Sequence, residues 1–331
     1  MKLLGSFKFL PRSSVGIDIG TSSLKVVELS RWGARKTLKN YGEIQASTLY
    51  DKPFRTFEKN TLMLSSEDIA RAIRAIVQET KIETKEAVFS IPDFSSFFTY
   101  FELPAMSKEE LPQAVQYEAR KHVPLPFAEV TFDWQIIEKP TAASKTPFKI
   151  LLVAVPNEVI NQYQEIAKGA NLKLSALEAE VFGLIRSFLK EEKTPSAVLD
   201  IGAQTTTINL VWKGQLRNSH GIDIAGNSFT ERISQSLLVD FSRAQELKSQ
   251  KGLLSPDIVS ILSPLIDMVV TEIQNITQTF EEREGTRIEK IVLGGGSSRM
   301  PGLKEYLEKN LAKEVEILDP FHILFAPPIL E

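Results

Sequence analysis

Residues 16–28 read GIDIGTSSLKVVE, and this stretch decides the fold. Apolar residues alternate on both sides of the turn Gly20-Thr21-Ser22-Ser23, so the pattern predicts two short strands within 15–29, joined as a hairpin. Asp18 alternates with isoleucines, which turns its carboxylate away from the apolar face. Gly20 permits a tight turn and a close approach of the backbone. The hairpin therefore opens a domain and presents an acid beside a polar turn.

A second copy of this pattern lies far along the chain. Residues 197–212 read AVLDIGAQTTTINLVW, so Asp200-Ile201-Gly202 is followed by three threonines and by a predicted strand, Ile208 to Trp212. Such a distant repeat predicts two lobes of similar build.

A glycine-rich turn is the third element. Residues 291–302 read IVLGGGSSRMPG, which predicts a buried strand, a tight turn and then a helix over 303–311. Three glycines allow a flat ligand to lie against the backbone. We assign Gly294, Gly295, Gly296 and Ser297 to the adenine and ribose side of a nucleotide.

The two hairpin turns suit a polyphosphate, because backbone amides and hydroxyls form a concave array of donors. The candidate phosphate contacts are Gly20, Thr21, Ser22, Ser23 and Lys25 in the first hairpin and Gly202, Ala203, Gln204, Thr205 and Thr206 in the second. Asp18 and Asp200 would repel phosphate by roughly 4 kcal/mol per pair of unit charges about 4 Å apart. A hydrated Mg²⁺ between the two aspartates and the phosphates reverses the sign of this interaction.

Each signal also has an ordinary structural interpretation. An isolated Asp-Ile-Gly is usually a turn at a strand end, and a glycine triplet before a helix is usually a tight connection. Thr205 to Thr207 can also be explained as ordinary strand-forming residues. Lys25 fits a solvent-exposed lysine on a strand as well as it fits a phosphate contact. The order of the three elements along one chain favours the nucleotide interpretation, in which both hairpins converge on one Mg-ATP.

The region between the two hairpins predicts further elements. A helix over 66–80 is capped by Ser65 or Ser66. A compact β-α-β-β-α unit follows, with a polar loop at 141–147; its elements are strand Phe97 to Leu103, a helix from Ser107, strands Phe132 to Glu138 and Lys149 to Val155, and helix Glu158 to Gly169. Ser107 and Glu110 have the spacing of a capping box.

We therefore predict an α/β, bilobal fold with an inserted small domain. The first lobe takes 1–86 and 172–195, the insert takes 87–171, and the second lobe takes 196–331, whose last helix can return to the first lobe.

Composition limits the function classes. The chain has 331 residues, 43% hydrophobic and 24% charged, which is enough for two cores. A net charge of −3 disfavours nucleic acid, and the absence of cysteine excludes disulfides and thiolate chemistry. The apolar run Ile150 to Val155 is too short to cross a membrane, and the first residues predict only a tail. We expect membrane association to come through a partner.

With these motifs in place, the chain resembles the superfamily of actin, sugar kinases and heat-shock chaperone ATPases over nearly its whole length. Residues 116–127, QYEARKHVPLPF, followed by Asp133-Trp134, resemble the PilM family of type IV pilus assembly, and so do Ile91-Pro92 and Glu102-Leu103-Pro104. In that family the insert lies beside the first lobe, as in the cell-division protein FtsA.

The resemblance implies an actin-like ATPase fold of duplicated ribonuclease-H-like domains that binds ATP and Mg²⁺. The acid that links the lobes in the superfamily falls on Glu180, which would position water, with Glu178 as the alternative. Ribose contacts fall on Gln245 and Lys248, in a segment where glutamine replaces the acid of the superfamily. Weak or no hydrolysis of ATP is expected, since a site can bind ATP well and cleave it poorly.

The resemblance also implies partners and a location. The family captures the N-terminal cytoplasmic tail of PilN, and through it the PilN/PilO inner-membrane complex, and the pilus motor ATPase would be a further partner. The protein would then be cytoplasmic and peripheral to the inner membrane, without nucleic acid and without direct membrane insertion. The aromatic strand Phe94 to Phe101 supplies apolar contact to the tail, or else fills the core of the insert.

Three related functions compete with this hypothesis. A membrane-tethered FtsA-like filament protein is expected to end in an amphipathic helix, which Pro327 and Pro328 interrupt. A small-molecule kinase needs a base aligned with a substrate hydroxyl, and no convincing acid occupies that role. The type II secretion protein GspL normally continues into a membrane span.

Overall fold

The computed structural model describes residues 12–33, 35–49, 64–140, 146–189, 194–319, 321, 324 and 325. Most of the predicted tail, most of the polar loop at 141–147, and Pro327 and Pro328 lie outside these residues. The chain divides into two compact units, 1–183 with 320–331, and 184–319, and each is described by itself. Among the described residues, no helix combines the length and the apolar character needed to cross a membrane.

The first unit begins with the predicted hairpin, which is confirmed. In chain order its elements are β1 (Arg12–Ile19), β2 (Ser23–Trp32), β3 (Arg35–Gln45), α1 (Ala46–Leu49), α2 (Ser66–Glu79), β4 (Glu86–Ile91), β5 (Phe97–Leu103), α3 (Leu111–His122), β6 (Val130–Glu138), β7 (Phe148–Pro156), α4 (Asn157–Gly169), β8 (Lys173–Ala179) and α5 (Glu180–Leu184). A five-stranded sheet has the order β3-β2-β1-β4-β8. Residues 12–14, which the sequence places in the tail, extend β1, because they pair with β2.

Helices α2 and α4 pack against this sheet. Ile69 and Ile73 of α2 and Tyr163 and Ile166 of α4 are buried in one core with the strands. The cap of α2 is Ser65, whose hydroxyl accepts a hydrogen bond from the Asp68 amide at 3.1 Å. The alternative cap, the Ser66 hydroxyl, instead donates to Glu165.

Strands β5, β6 and β7 form a separate antiparallel sheet, with the order β5-β7-β6. One face of this sheet packs with α3 around Val115 and Ile150. The capping box is present: Ser107 and Glu110 exchange hydrogen bonds, one turn ahead of α3. The predicted insert at 87–171 also includes β4 and α4, which pack in the core of the first sheet because their apolar side chains face it.

The second unit repeats the architecture of the first sheet. Its elements are β9 (Ser196–Ile201), β10 (Thr206–Trp212), β11 (Gln215–Ile222), α6 (Gly226–Leu237), α7 (Phe241–Gln250), α8 (Pro256–Glu284), β12 (Lys290–Gly294), α9 (Leu303–Leu311) and β13 (Glu314–Ile317). The sheet order is β11-β10-β9-β12-β13. In both sheets the first three strands are antiparallel neighbours and the last two run parallel to the first strand. Asp18 and Asp200 therefore occupy equivalent positions in two equivalent sheets.

The last described helix, α9, belongs to the second unit, since Leu303, Leu307 and Leu311 are buried in its core. Residues beyond it return to the first unit. Phe325 pairs with β3 in parallel: its amide donates to the Lys36 carbonyl and its carbonyl accepts from the Leu38 amide, both at 2.9 Å.

Candidate functional site

The first hairpin turn holds an aspartate between two polar neighbours. Asp18 pairs across the hairpin with Lys25, whose amine lies 3.8 Å from the carboxylate. The hydroxyl of Ser90, on the parallel strand β4, donates to Asp18 at 2.8 Å. A Cβ at Gly20 would lie 2.7 Å from the Ser23 carbonyl oxygen, so the turn leaves no room for a side chain. Ser90 has no signal in the sequence, because only the pairing of β4 with β1 brings it to Asp18.

The second hairpin turn is closed in the same way. The Gly202 amide donates to the Thr205 carbonyl at 3.0 Å, and a Cβ at Gly202 would lie 3.0 Å from that oxygen. Asp200 stands beside Thr207 on β10 and beside Gly294 on β12. The predicted contact Thr206 is fully buried, and its hydroxyl donates to the Ile224 carbonyl at 2.6 Å, so this hydroxyl supports the turn.

The N-terminus of α6 packs on this second turn, and this contact has no counterpart in the sequence-based prediction. The amides of Gly226 and Asn227 donate to the carbonyls of Gly202 and Ala203 at 3.0 and 2.7 Å. A Cβ at Gly226 would lie 2.5 Å from the Ser297 hydroxyl and 3.1 Å from the Gly202 carbonyl oxygen. The one available signal was a glycine just before a helical pattern, which is common at helix starts.

The glycine turn after β12 lies against the same aspartate. Gly295 has a φ of +85°, and a Cβ there would lie 2.4 Å from both the Asp200 carboxylate and the Ile201 carbonyl oxygen. The Ser297 side chain is buried, and its hydroxyl lies 3.4 Å from the Gly202 carbonyl oxygen. The fold of the second unit therefore brings together Asp200, the turn at Gly202, the start of α6 and the glycine turn.

Lys248 and Gln245 lie on α7, and their side chains form hydrogen bonds with residues of α6. The Lys248 amine is buried and donates to the Gly226 carbonyl at 2.8 Å and to the Thr230 hydroxyl at 2.7 Å. The Thr230 hydroxyl also lies 2.7 Å from Oε1 of Gln245. Burial lowers the pKa of Lys248 from 10.5 to about 8, because it disfavours the charged form. A cationic side chain is thus held directly under the glycine that starts α6.

The acids near residue 180 lie in the first unit. Glu180 is the first residue of α5, and Glu178 lies on β8, paired with Ser90 of β4. The buried Asp93 accepts a hydrogen bond from the Val181 amide at 3.1 Å, which fixes the start of α5. Asp93 is a positioning residue that the sequence did not reveal.

Among the described residues, no group of three or more His, Asp or Glu side chains is close enough to form a metal cage. Asp18 and Asp200 each present one carboxylate at the turn of their own unit, and Mg²⁺ can be held by one or two carboxylates together with waters and phosphate oxygens. At Gly202, Gly226 and Gly295 a Cβ would meet atoms of the protein itself, so the absence of a side chain allows these segments to pack closely against their neighbours.

Comparison with known families matches the model of the type IV pilus assembly protein PilM to residues 16–328. The chain belongs to the PilM family. A solved structure described as the PilM-PilN type IV pilus biogenesis complex superposes with a TM-score of 0.82, at 22% identity, covering 96% of this chain and 91% of that one. The family assignment confirms the predicted actin-like fold with its duplicated sheets.

More distant relatives share this fold. The cell-division protein FtsA of Enterococcus faecalis (strain ATCC 700802 / V583) is 22% identical over 95% of this chain and 80% of its own length. Alignments with FtsA of other bacteria are shorter and cover between 33% and 42% of those chains. MreB5 of Spiroplasma citri, solved with AMPPNP, superposes with a TM-score of 0.51 at 12% identity, covering 92% of this PilM-family chain and 91% of that one.

Proposed function

We propose that this PilM-family protein binds Mg-ATP and, in that form, holds the N-terminal cytoplasmic tail of a PilN-type membrane protein. The family assignment over 16–328 carries the proposal. The similarity to a structure described as a PilM-PilN complex supports the choice of partner, and the similarity to MreB5 with AMPPNP supports the choice of nucleotide.

The nucleotide proposal rests on the residues of each unit. In the second unit, the Gly202 amide closes the turn by donating to the Thr205 carbonyl, and the amides that follow it, from Ala203 to Thr205, are proposed to donate to phosphate oxygens. The turn Gly294 to Ser297 is proposed to lie along the adenosine side. Lys248 offers positive charge beneath the start of α6. In the first unit, the turn Gly20 to Ser23 with Lys25 is proposed to contact phosphate as well.

Asp18 and Asp200 would hold Mg²⁺ through its waters. The bound ion neutralises the phosphate charge that either carboxylate alone would repel. Ser90 orients the Asp18 carboxylate by donating to it, and the close approach of Gly295 confines the Asp200 carboxylate.

Hydrolysis is proposed to be weak or absent. Glu180 would position water for it, with Glu178 as the alternative. Cleavage of ATP needs a positioned water and stabilised charge in addition to tight binding. The nucleotide then acts mainly to stabilise the form that binds the partner.

The partner tail is proposed to contact the aromatic strand β5. Phe97 and Phe101 pack in the core of the small sheet, which is the ordinary structural interpretation of these rings. Because side chains alternate along a strand, Phe98 and Tyr100 face the opposite side, and both are only partly buried. Phe98 contacts Phe182 of α5, with ring centroids 6.2 Å apart. These two rings offer apolar contact to an extended peptide.

Through PilN the protein would reach the PilN/PilO inner-membrane complex, and the pilus motor ATPase is a further proposed partner. It would then work in the cytoplasm, peripheral to the inner membrane.

Calorimetric titration with a PilN-type N-terminal peptide tests the proposal, with and without Mg-ATP. We expect tight binding that strengthens with Mg-ATP and weakens at least tenfold in Phe98→Ala. Tyr117→Ala is the matched control, since Tyr117 is 67% exposed on α3 of the same unit. If the peptide binds neither with nor without Mg-ATP, the proposal that a PilN-type tail is the partner is refuted. Transfer of labelled phosphate from ATP to a small molecule would favour a kinase instead, and nucleotide-dependent filaments without peptide binding would favour the FtsA-like alternative.

A further inference from the structure

The end of the hairpin formed by β2 and β3 gathers cationic and aromatic side chains. Arg31 and Trp32 end β2, and Arg35 and Lys36 begin β3. Trp32 is 60% exposed, both arginines are exposed, and Lys36 is partly buried. We refer to these four residues as the hairpin tip. It combines three positive charges with one large aromatic ring.

The strand register places two of these charges directly opposite each other. Arg31 pairs with Lys36, and the next pair toward the turn is Trp32 with Arg35. Like charges at directly opposed positions destabilise an antiparallel pair. Because successive pairs point to opposite faces of a sheet, Arg31 and Lys36 project from one face, and Trp32 and Arg35 project from the other. Positive charge is therefore present on both faces of the tip.

Acids of the chain do not neutralise this charge. Nε of Arg31 donates to the Gly33 carbonyl at 2.9 Å, and within the described part of the chain none of the three cations forms an ion pair with a carboxylate. Glu28, the one acid of β2, is buried and accepts a hydrogen bond from the Asn40 amide at 2.9 Å. Its carboxylate also lies 3.8 Å from the Lys39 amine. The charges of the tip thus remain available to an external ligand.

Two exposed aromatic rings adjoin these charges. Trp32 projects from the same face as Arg35, whose guanidinium carbon lies 4.0 Å from the centre of the Phe325 ring. Phe325 is 47% exposed and is held in place by its two backbone hydrogen bonds to β3. Tryptophan and arginine are enriched among the residues that carry most of the binding energy at protein interfaces. This face therefore offers positive charge together with apolar contact area.

We propose that the hairpin tip, together with Phe325, binds an extended acidic segment of a partner protein. Carboxylates of the segment pair with the two arginines and with Lys36, and apolar side chains between them pack on Trp32. A guanidinium group suits this ligand, because its planar fork of N–H donors can bind a carboxylate through two parallel hydrogen bonds. The segment supplies the negative charge that would relieve the repulsion between Arg31 and Lys36.

The placement of the charges favours a short peptide over other anions. An extended chain can pass around the tip and meet the cations on both faces, whereas a flat bilayer meets the tip from one side. A long nucleic acid would continue beyond the tip over a protein whose net charge is −3. A short segment interacts only with the tip, since charge interactions decay within about 10 Å at 0.1 M salt. The inference goes beyond the proposed function, because it requires neither the nucleotide nor the PilN-type tail.

Fluorescence anisotropy with two labelled decapeptides tests the proposal on the full chain. One peptide alternates glutamate with leucine, and the other alternates glutamate with glycine, so the two carry the same charge. We expect both to bind, the leucine-containing peptide more tightly, and both to dissociate at high salt. Arg31→Gln/Arg35→Gln should weaken the binding of both peptides about tenfold, because it removes two exposed ion pairs.

Trp32→Ala should abolish the preference for the leucine-containing peptide, and retention of that preference would refute the contact with Trp32. The matched control is Arg232→Gln/Lys309→Gln, which removes the same charge from exposed positions of the second unit and should bind as the unchanged protein does. Melting temperatures establish that each variant is folded. The proposal is overturned if the unchanged protein binds neither peptide, if the arginine variant of the tip binds like the control, or if phosphatidylglycerol vesicles or single-stranded DNA are bound while the peptides are not.

Discussion

Gly295 lies so close to Asp200 that a Cβ on the glycine would stand 2.4 Å from the carboxylate oxygen of Asp200. The two residues are about 95 positions apart in sequence, and they meet because β12 runs parallel to β9, with Gly294 in register with Asp200. A motif assigned to the adenosine side of a nucleotide thus borders the acid assigned to its magnesium ion.

The substitution Gly295→Ala tests this contact. A positive φ costs an alanine about 1–2 kcal/mol, and the clash with Asp200 and Ile201 adds to it, so the free energy of unfolding should fall by at least about 2 kcal/mol. Urea denaturation measures this change. Gly296→Ala is the matched control, because a Cβ there meets nothing within 4 Å. Equal stability of the two variants would contradict the geometry.

Asp18→Ala and Asp200→Ala should each weaken ATP binding in the presence of Mg²⁺ by at least tenfold, because each removes a carboxylate that would hold the hydrated ion. Calorimetry with and without Mg²⁺ measures the effect, and ATP should raise the melting temperature of the unchanged protein but of neither variant. Glu231→Ala, which removes one exposed acid from α6, serves as the control. Unaltered Mg-dependent binding in both aspartate variants would refute the proposed site.

Lys248 should make the stability of the protein depend on pH in the alkaline range. Its pKa is about 8 in the folded chain and 10.5 ordinarily, so below pH 8 the amine is protonated in both states and the cost of burying its charge is fully present. Between pH 8 and 10.5 the folded chain gives up this proton while the unfolded chain keeps it, and the folded state gains stability as pH rises.

The variant Lys248→Met lacks this gain. The free energy of unfolding of the unchanged protein minus that of the variant should therefore rise by about 2 kcal/mol from pH 7 to pH 10. Denaturation curves at the two pH values measure it, and other titrating groups cancel in the difference. Lys251→Met, at an exposed lysine just after α7, should show a flat difference. A flat difference for Lys248→Met as well would show that burial does not lower its pKa.

Ser65→Ala should cost about 1 kcal/mol of stability, because it removes the acceptor for the Asp68 amide at the start of α2. Ser66→Ala should cost little, since the exposed Ser66 hydroxyl only donates to Glu165. Thermal or urea denaturation of the pair compares two adjacent serines that the sequence leaves as equal candidates. A larger loss in Ser66→Ala would reverse the assignment of the cap.

Local pattern was sufficient for much of the fold. Alternation of apolar residues predicted the hairpin β1–β2 and strand β5, and helical spacing predicted α9 with its bounds at Leu303 and Leu311. The repeat of Asp-Ile-Gly predicted two lobes of similar build, and the two sheets have the same strand order. These features depend on neighbours within a few residues, where period and turn chemistry are strong signals.

Contacts between segments that are distant in sequence could not be predicted from local pattern. The bond from Ser90 to Asp18 and the packing of Gly226 on Gly202 each join strands or helices that are far apart in sequence, and no periodicity records such pairs. The bond from the Thr206 hydroxyl to the Ile224 carbonyl could not be predicted from pattern either, because only the tertiary structure brings Ile224 to Thr206. The candidate site residues themselves stay predictions.

By itself the sequence determined the two aspartate-bearing hairpins, the glycine turn and the helix and strand periods, because these arise from interactions between near neighbours in the chain. Only the tertiary structure decided what surrounds each motif: the glycine turn beside Asp200, the buried Lys248 next to the start of α6, and Phe325 paired with β3. The physical reason is that parallel strand pairing and helix packing are set by the burial of whole faces, which brings together residues that no local pattern connects.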